Sequence, residues 1–521
     1  MYIHDSFRFH ATVRGEVPML LHGDEAYCYA DVLARAEAFA KALIGEGLGV
    51  GDRFCMLSKN RVETLVAFLA GSMTGAVAVA LNYRLAPVEL AYIINDTDAK
   101  LLFVDEEHRA PLSTIADDLT AVKTTVVFGD EGSDGFAAWV NAKGGGDVDP
   151  YVQEGRSEAD AFYQLYTSGT TGRPKGAELS HKGVIANAIQ SMAAAEYRPS
   201  PGDHVLLVLP LYHAAGAGYA INAMRDGLTI VMQSDFDPVA FVDALGSGKV
   251  VAAVSVPAIL QACLAFVPDV AARDYSNLKV ISYGASPIAP EVLRKAMQVF
   301  KCDFYQGYGQ TEASAVITVL TSRDHARALN GQESLLLSAG RPVPGTEIKV
   351  VDPDGKALPP GEVGEILARG PQLMNGYWKL PEQTEKTLKG GWLHTGDAGR
   401  IDENGFLYVE DRIKDMILSG GENIYPKEIE DVLYAYEGIA DAAVIGVPDE
   451  TWGETVMACI VEAKPGTVDK DALTAFCRER LAGFKIPRRI EIMKELPRNL
   501  TGKVLKKDLR APYWEGHSRQ V

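Results

Sequence analysis

A chain of 521 residues is too long for one ordinary core, so at least two structural units are expected. With 47% hydrophobic and 23% charged residues it reads as a folded globular protein, which excludes whole-chain disorder, collagen-like repeats and a disulfide scaffold. The formal net charge of −18 argues against general nucleic-acid binding, which needs cations facing phosphates, but leaves room for a small polyanion on a local basic patch.

The first segment, Met1–Leu21, contains Asp5, Arg8, Arg14 and Glu16 and lacks the apolar core of a secretory signal. Residues 28–44 repeat Leu33, Ala36, Phe39, Leu43 and Ile44 on one helical face. Gly45, Gly47 and Gly49 stop that helix, and Asp52–Ser58 reads as a strand. Thr64–Leu81 carries no charge, but its Ala, Gly, Ser and Thr content predicts a buried helix, a Gly turn and the strand Ala76–Leu81. Val205–Met224 is also uncharged, yet Pro210, His213, Gly216, Gly218 and Asn222 interrupt it, so no integral membrane span is expected. Apolar runs at Val205–Leu209, Thr229–Met232, Val250–Val256 and Val280–Tyr283 alternate with helical patterns. That alternation implies an α/β fold with parallel sheets covered by helices.

From about Gly340 the turns become dense, as in Asp352-Pro353-Asp354-Gly355 and Asp402-Glu403-Asn404-Gly405, which predicts a small antiparallel sheet or barrel. After about residue 412 a second short α/β pattern follows: a strand Ala442–Val447, then Thr455–Glu462, a helix Lys470–Arg480 and a basic segment. Ala511–Val521 reads as a tail. The six cysteines form no CxxC pair and read as reduced thiols of a cytoplasmic protein; their spacing supports no zinc site.

The most informative stretch is Tyr166-Thr167-Ser168-Gly169-Thr170-Thr171-Gly172-Arg173-Pro174-Lys175-Gly176. Glycines let backbone amides turn inward around an anion, hydroxyls add donors, and lysine adds a charge. It follows the apolar Ala161–Leu165 and precedes a helical pattern near Ser180, so it reads as a phosphate loop between a strand and a helix. Gly169 and Gly172 are too close for a Walker loop.

This loop resembles that of the adenylate-forming enzymes: acyl- and aryl-CoA synthetases, peptide-synthetase adenylation domains and beetle luciferases. Five further segments are similar to the family in order: Tyr308-Gly309-Gln310-Thr311-Glu312, Leu393-His394-Thr395-Gly396-Asp397, Asp411–Asp415, Ser419–Asn423, and Pro497–Lys503. The resemblance runs from about residue 25 to residue 510. It implies a large N-terminal domain, 1–412, with a barrel-like subdomain, and a small mobile C-terminal domain, 413–521, hinged near Lys414.

The resemblance also implies roles. Thr167, Ser168, Gly169, Thr170, Thr171, Gly172 and Lys175 would hold the phosphates of ATP. Gly284, Ala285, Tyr308, Asp397 and Arg412 would hold the rest of the nucleotide. Plain chemistry agrees: a Tyr308 ring suits adenine, the Asp397 carboxylate suits two ribose hydroxyls, and the Arg412 fork suits ribose or phosphate oxygens. Thr311 could donate to the α-phosphate, and Glu312 could hold Mg²⁺, a hard cation that takes carboxylate and phosphate oxygens. Lys503 would stabilise the charge that builds as a carboxylate attacks the α-phosphate. His213, Ala214, Gly218, Val256, Tyr283 and Gly307 would line an acyl pocket, and Gly420 and Gly421 would flank a path for CoA. Arg478–Arg510 holds eleven Lys/Arg against four Asp/Glu, a net +7 that suits the polyphosphate CoA.

The implied reaction has two steps, an acyl-adenylate and then a thioester. The expected function is therefore an AMP-forming acyl-CoA synthetase acting on a medium- or long-chain fatty acid or an aryl, cinnamate-like acid. Loading of a free-standing carrier protein, and a non-catalytic nucleotide-binding protein, stand as alternatives. A homodimer is compatible with the sequence.

Overall fold

A computed structural model describes residues 1–129, 135–144, 149–151, 155–167, 173–286, 288–412, 415–419, 422–449, 452–498 and 504–515. The alternating first half builds two helix-covered sheets. The seven-stranded sheet runs, edge to edge, Gly376–Tyr377, Lys175–Ser180, Ala161–Thr167, Val77–Leu81, Arg53–Leu57, Leu101–Asp105, Thr124–Phe128. Its five strands from Ala161–Thr167 to Thr124–Phe128 are parallel, and the two edge strands beyond are antiparallel. The nine-stranded sheet holds Val250–Ser255, Val280–Gly284 and Asp303–Tyr308 as parallel neighbours.

The long uncharged segment of the sequence shows why such runs are not membrane spans. Val62–Thr74 is a helix of 13 residues buried on every side, and it ends at Gly75, whose φ of 79° is left-handed. Val77–Leu81 then returns as an interior strand. Burying a Leu, Val or Phe side chain here contributes roughly 1.5–3 kcal/mol each. Phe39, Phe54 and Phe103 meet edge to face beside this helix and join one core shared by both sheets. No helix among the described residues is long and apolar enough to cross a membrane.

The turn-rich region after Gly340 is a four-stranded antiparallel sheet, Glu347–Val351, Gly364–Arg369, Leu393–Ile401 and Leu407–Arg412. The small C-terminal region pairs Ile439–Asp449 with Gly453–Glu462 over ten register positions and adds Arg489–Met493 in parallel. Separate apolar clusters lie around Leu433 and Leu473 and around Leu496 and Leu509.

Two expectations are corrected. Ala511–Trp514 is not tail: the helix Lys506–Trp514 includes it, and Trp514 Nε1 donates to the Gly446 carbonyl at 3.0 Å. A half-buried indole N–H finds its partner in that carbonyl, which anchors the helix end. The basic segment is also less free than its +7 implies. Lys485, Arg498, Lys506 and Arg510 pair with Glu428, Asp441, Glu430 and Asp415, all acids outside that segment.

Candidate active site

The phosphate-loop motif sits at the tip of a β-hairpin. Ala161–Thr167 and Lys175–Ser180 are antiparallel, with Thr167 opposite Lys175 and Tyr166 opposite Gly176. The expected strand–loop–helix is therefore corrected to strand–loop–strand. Lys175–Ser180 extends because it pairs on both sides, with Ala161–Thr167 and with Gly376–Tyr377. The helix His181–Ala194 starts only after it, capped by Ser180 Oγ accepting from Gly183 N at 3.1 Å. Ser168, Gly169, Thr170, Thr171 and Gly172 lie outside the described residues.

At the hairpin's end a compact polar group forms. Lys175 is buried, with Nζ 3.4 Å from Gln383 Oε1 and 5.1 Å from the centre of the Tyr377 ring. Tyr377 belongs to the two-residue strand Gly376–Tyr377, which pairs with Glu178 and Ala177. Its hydroxyl donates to Glu312 Oε1 at 2.6 Å, and Thr167 Oγ1 lies 3.5 Å from the same oxygen.

Glu312 reaches that position because the chain turns sharply after the strand Asp303–Tyr308. Thr311–Ala313 is a single 3-10 turn, followed by Ser314 at φ 54° and Ala315 at φ 112°. A Cβ on Gly309 would lie 2.1 Å from the Ala315 carbonyl oxygen, so only glycine lets the turn close.

The same turn looks the other way onto Asp397. Tyr308 Oη donates to Asp397 Oδ2 at 2.7 Å, and Gln310 Nε2 donates to it at 3.0 Å and to the Thr395 carbonyl at 2.7 Å. Asp397 is buried on the strand Leu393–Ile401 and stands opposite Arg412 across the antiparallel pair. Gly284 and Ala285 end a neighbouring strand. A Cβ on Gly284 would come within 2.2 Å of the Gly307 carbonyl oxygen, and Ala285 turns away at φ 66°.

His213 precedes the helix Ala214–Arg225. Burial, with the nearby Arg84 charge, pushes its imidazole down to about 4, so it is neutral at physiological pH. Gly218 lies in that helix, and Val256 is buried just ahead of the helix Pro257–Phe266. Tyr283 and Gly307 do not share a wall as expected. Tyr283 is in register with Gln306, so strand alternation sets Gly307 on the opposite face. The Tyr283 hydroxyl lies 2.8 Å from His325 Nε2, a buried pair that satisfies both.

Lys503, Lys414, Gly420 and Gly421 lie outside the described residues, as does the Arg412 side chain. Among the described residues no three His, Cys, Asp or Glu side chains gather as in a protein-only metal site. Two site residues escaped the sequence reading. Tyr377 gave no signal because a two-residue strand has no periodicity. Gln310 lay inside a recognised motif, but only the fold shows its donors aimed at Asp397 and Thr395.

Comparison with known proteins agrees with this geometry. The AMP-binding enzyme family model matches residues 7–378, and the AMP-binding enzyme C-terminal domain model matches 428–503. The chain is 36% identical over 517 residues to a fatty acid–[acyl-carrier-protein] ligase of Streptomyces coeruleorubidus, covering 98% of this chain and 96% of that one. It is 36% identical over 490 residues to a feruloyl-CoA synthase of Amycolatopsis sp, covering 94% of each. Among solved structures, ATP-bound MatB from Rhodopseudomonas palustris superposes with a TM-score of 0.87 at 30% identity, covering 99% of this chain and 100% of that one.

Proposed function

This chain belongs to the AMP-binding enzyme family and is an AMP-forming acid–thiol ligase, and from that premise we propose how its residues divide the work. The acid is a medium- or long-chain fatty acid or an aryl, cinnamate-like acid. It is joined to AMP with release of pyrophosphate, and the acyl group then passes to CoA.

The observation that carries this reading is the five-residue segment 308–312. Tyr308 and Gln310 hold Asp397 at one end, and Glu312 meets Thr167 and Tyr377 at the other. A nucleotide's ribose and phosphate ends would then be served by one short segment, a strand end and the turn after it. Asp397 accepts from the ribose hydroxyls, and Tyr308, with Gly284 and Ala285, borders the adenine. Thr311 donates to the α-phosphate, and the 167–175 loop with Lys175 binds the leaving phosphates. Such preorganised donors act where charge develops and need no rearrangement during the reaction.

Glu312 is the residue that would hold Mg²⁺. One of its oxygens already accepts from Tyr377, and no group of three His, Cys, Asp or Glu side chains forms a protein-only cage among the described residues. That suits an ion that draws its remaining ligands from phosphate and water. When bound, Mg²⁺ supplies neutralisation of phosphate charge. Lys503 stabilises the charge that builds on the attacked phosphate. The domains divide at 412/413 with a pivot near Lys414, which lets the Lys503 loop and the Gly420–Gly421 loop take turns at the adenylate. Arg412 is assigned to a ribose or phosphate oxygen of the nucleotide. His213, Ala214, Gly218, Val256 and Gly307 border the acid.

A second reading has its own support: the carrier-protein ligase is as similar to this chain as the CoA synthase. Both are tested by pyrophosphate release across a panel of carboxylic acids, with and without CoA. Release coupled to CoA consumption is the expected result. Release without CoA consumption favours a carrier protein, and no release with any acid overturns both.

A further inference from the structure

Strand register sorts the side chains at the edge of the nine-stranded sheet. Val254, Ser282 and Tyr305 are in register across three parallel strands, and Gly284 and Gly307 lie two residues further along on the same face. The nearest atoms to a Cβ on Gly307 belong to Val316, whose backbone is clamped by Asn187 of the helix His181–Ala194. That helix touches the helix Ala214–Arg225. The Tyr305–Gly307 face therefore looks toward these two helices.

The helix Ala214–Arg225 has two stripes. Ala217, Ala220, Ile221 and Met224 are fully buried. Ala215, Gly218, Tyr219 and Asn222, at helical spacing, are only partly covered. A Cβ on Gly218 would meet no atom within 4 Å, so the stripe borders open space. On or next to these elements, three buried polar atoms have no hydrogen-bond partner among the described residues: Tyr219 Oη, Tyr305 Oη and His213 Nε2. Buried hydroxyls are nearly always paired, and an unpaired one retains its desolvation cost until a partner arrives.

Resting on the ligase reading above, we propose that the acid this enzyme activates is an aryl carboxylic acid bearing a hydroxyl or alkoxy oxygen remote from its carboxylate, received by Tyr219 and Tyr305. A plain alkyl chain would leave both hydroxyls unpaired in a dry site. A ring with an oxygen substituent pairs them, and its flat faces match the Tyr219 and Tyr305 rings beside the small Ala215, Gly218 and Gly307. Sites built to bond a substrate oxygen reject the analogue lacking it far more strongly than apolar pockets reject a methylene.

The test compares 4-hydroxycinnamic, cinnamic and octanoic acids with the full-length enzyme, by pyrophosphate release and by calorimetric binding with a non-hydrolysable ATP analogue. The hydroxylated acid should exceed cinnamic acid by at least about tenfold in kcat/KM. Tyr219→Phe and Tyr305→Phe should each shrink that ratio. Without acid, both variants should melt at or above the wild-type temperature, because each removes an unpaired buried hydroxyl. Equal or better use of cinnamic or octanoic acid by the wild type overturns the proposal. So does an unchanged ratio in both variants, or a marked loss of acid-free stability, which would mean the hydroxyls are engaged within the protein. Preferential binding of the hydroxylated acid without pyrophosphate release from any acid would uphold the pocket chemistry and overturn the ligase reading.

Discussion

The Tyr377 hydroxyl donates a 2.6 Å hydrogen bond to Glu312, while the face of the same ring lies 5.1 Å from Lys175 Nζ. One side chain thus positions both the carboxylate proposed for Mg²⁺ and the lysine proposed for phosphate. Tyr377→Phe keeps the ring and deletes the hydroxyl. Hydrogen bonds to charged groups contribute about 1.5–3 kcal/mol, so ATP–pyrophosphate exchange should fall roughly 10- to 100-fold. Exchange followed against Mg²⁺ concentration should show a raised requirement, and calorimetry should show weaker ATP binding only when Mg²⁺ is present. An unshifted Mg²⁺ dependence would remove Glu312 from the metal.

Asp397 accepts from two donors in a buried setting, Tyr308 Oη and Gln310 Nε2. Asp397→Ala should therefore weaken ATP binding and also lower the melting temperature, since each donor left unpaired costs about 1–3 kcal/mol. A variant with unchanged ATP affinity would dissociate Asp397 from the nucleotide.

Gly216 and Gly218 are two residues apart on one helix and should respond oppositely to a side chain. A Cβ on Gly216 would lie 2.3 Å from the Pro210 carbonyl oxygen, so Gly216→Ala should destabilise the protein. A Cβ on Gly218 meets nothing, so Gly218→Ala should stabilise the helix by about 0.5–1 kcal/mol. Gly218→Ile should raise the KM for the acid while leaving that for ATP in place. Equal effects on both substrates would mean that Gly218 does not border the acid.

Burial pushes the imidazoles of His181, His213 and His325 down to about 3, about 4 and about 4. Unfolded histidine titrates near about 6.5, so below that pH the unfolded chain binds more protons than the folded one. Stability should therefore be full above about pH 6.5 and fall as the pH drops toward 4. Melting temperatures recorded at pH 7 and pH 5 should differ by a few degrees in that direction, about 2–4 °C per kcal/mol for domains of 150–250 residues. A flat profile would show that these imidazoles protonate in place.

The two half-reactions should separate by mutation. Lys503→Ala should abolish most pyrophosphate release yet still convert preformed acyl-adenylate to thioester. Lys414→Pro, which removes backbone freedom, should spare the adenylate and impair the thioester. Equal losses in both half-reactions for Lys414→Pro would sink the pivot assignment.

Much of this was legible in the sequence, because helix and strand periods and glycine stops are local. Val62–Thr74, Gly75 and Val77–Leu81 follow directly from a charge-free run with a glycine in it. What was hidden is non-local. The hairpin carrying the phosphate loop depends on Lys175–Ser180 pairing with both Ala161–Thr167 and the distant Gly376–Tyr377. That Tyr283 and Gly307 take opposite faces was hidden for a similar reason: a one-residue difference in register decides which face a strand residue takes. The basic C-terminal segment misled because summed charge ignores the acids it finds elsewhere, such as Asp415 for Arg510.

The strand Leu407–Arg412 ends two residues before the proposed pivot, and its last residue stands across the ladder from Asp397. A hydrogen-bonded ladder resists bending, so the fulcrum of any swing falls just beyond Arg412. On the proposed reading, the ribose seat would belong to the fixed frame and the small domain would be the lever. One loop would then replace another while the nucleotide stays in place, as attack first at phosphorus and then at the acyl carbon of the mixed anhydride requires.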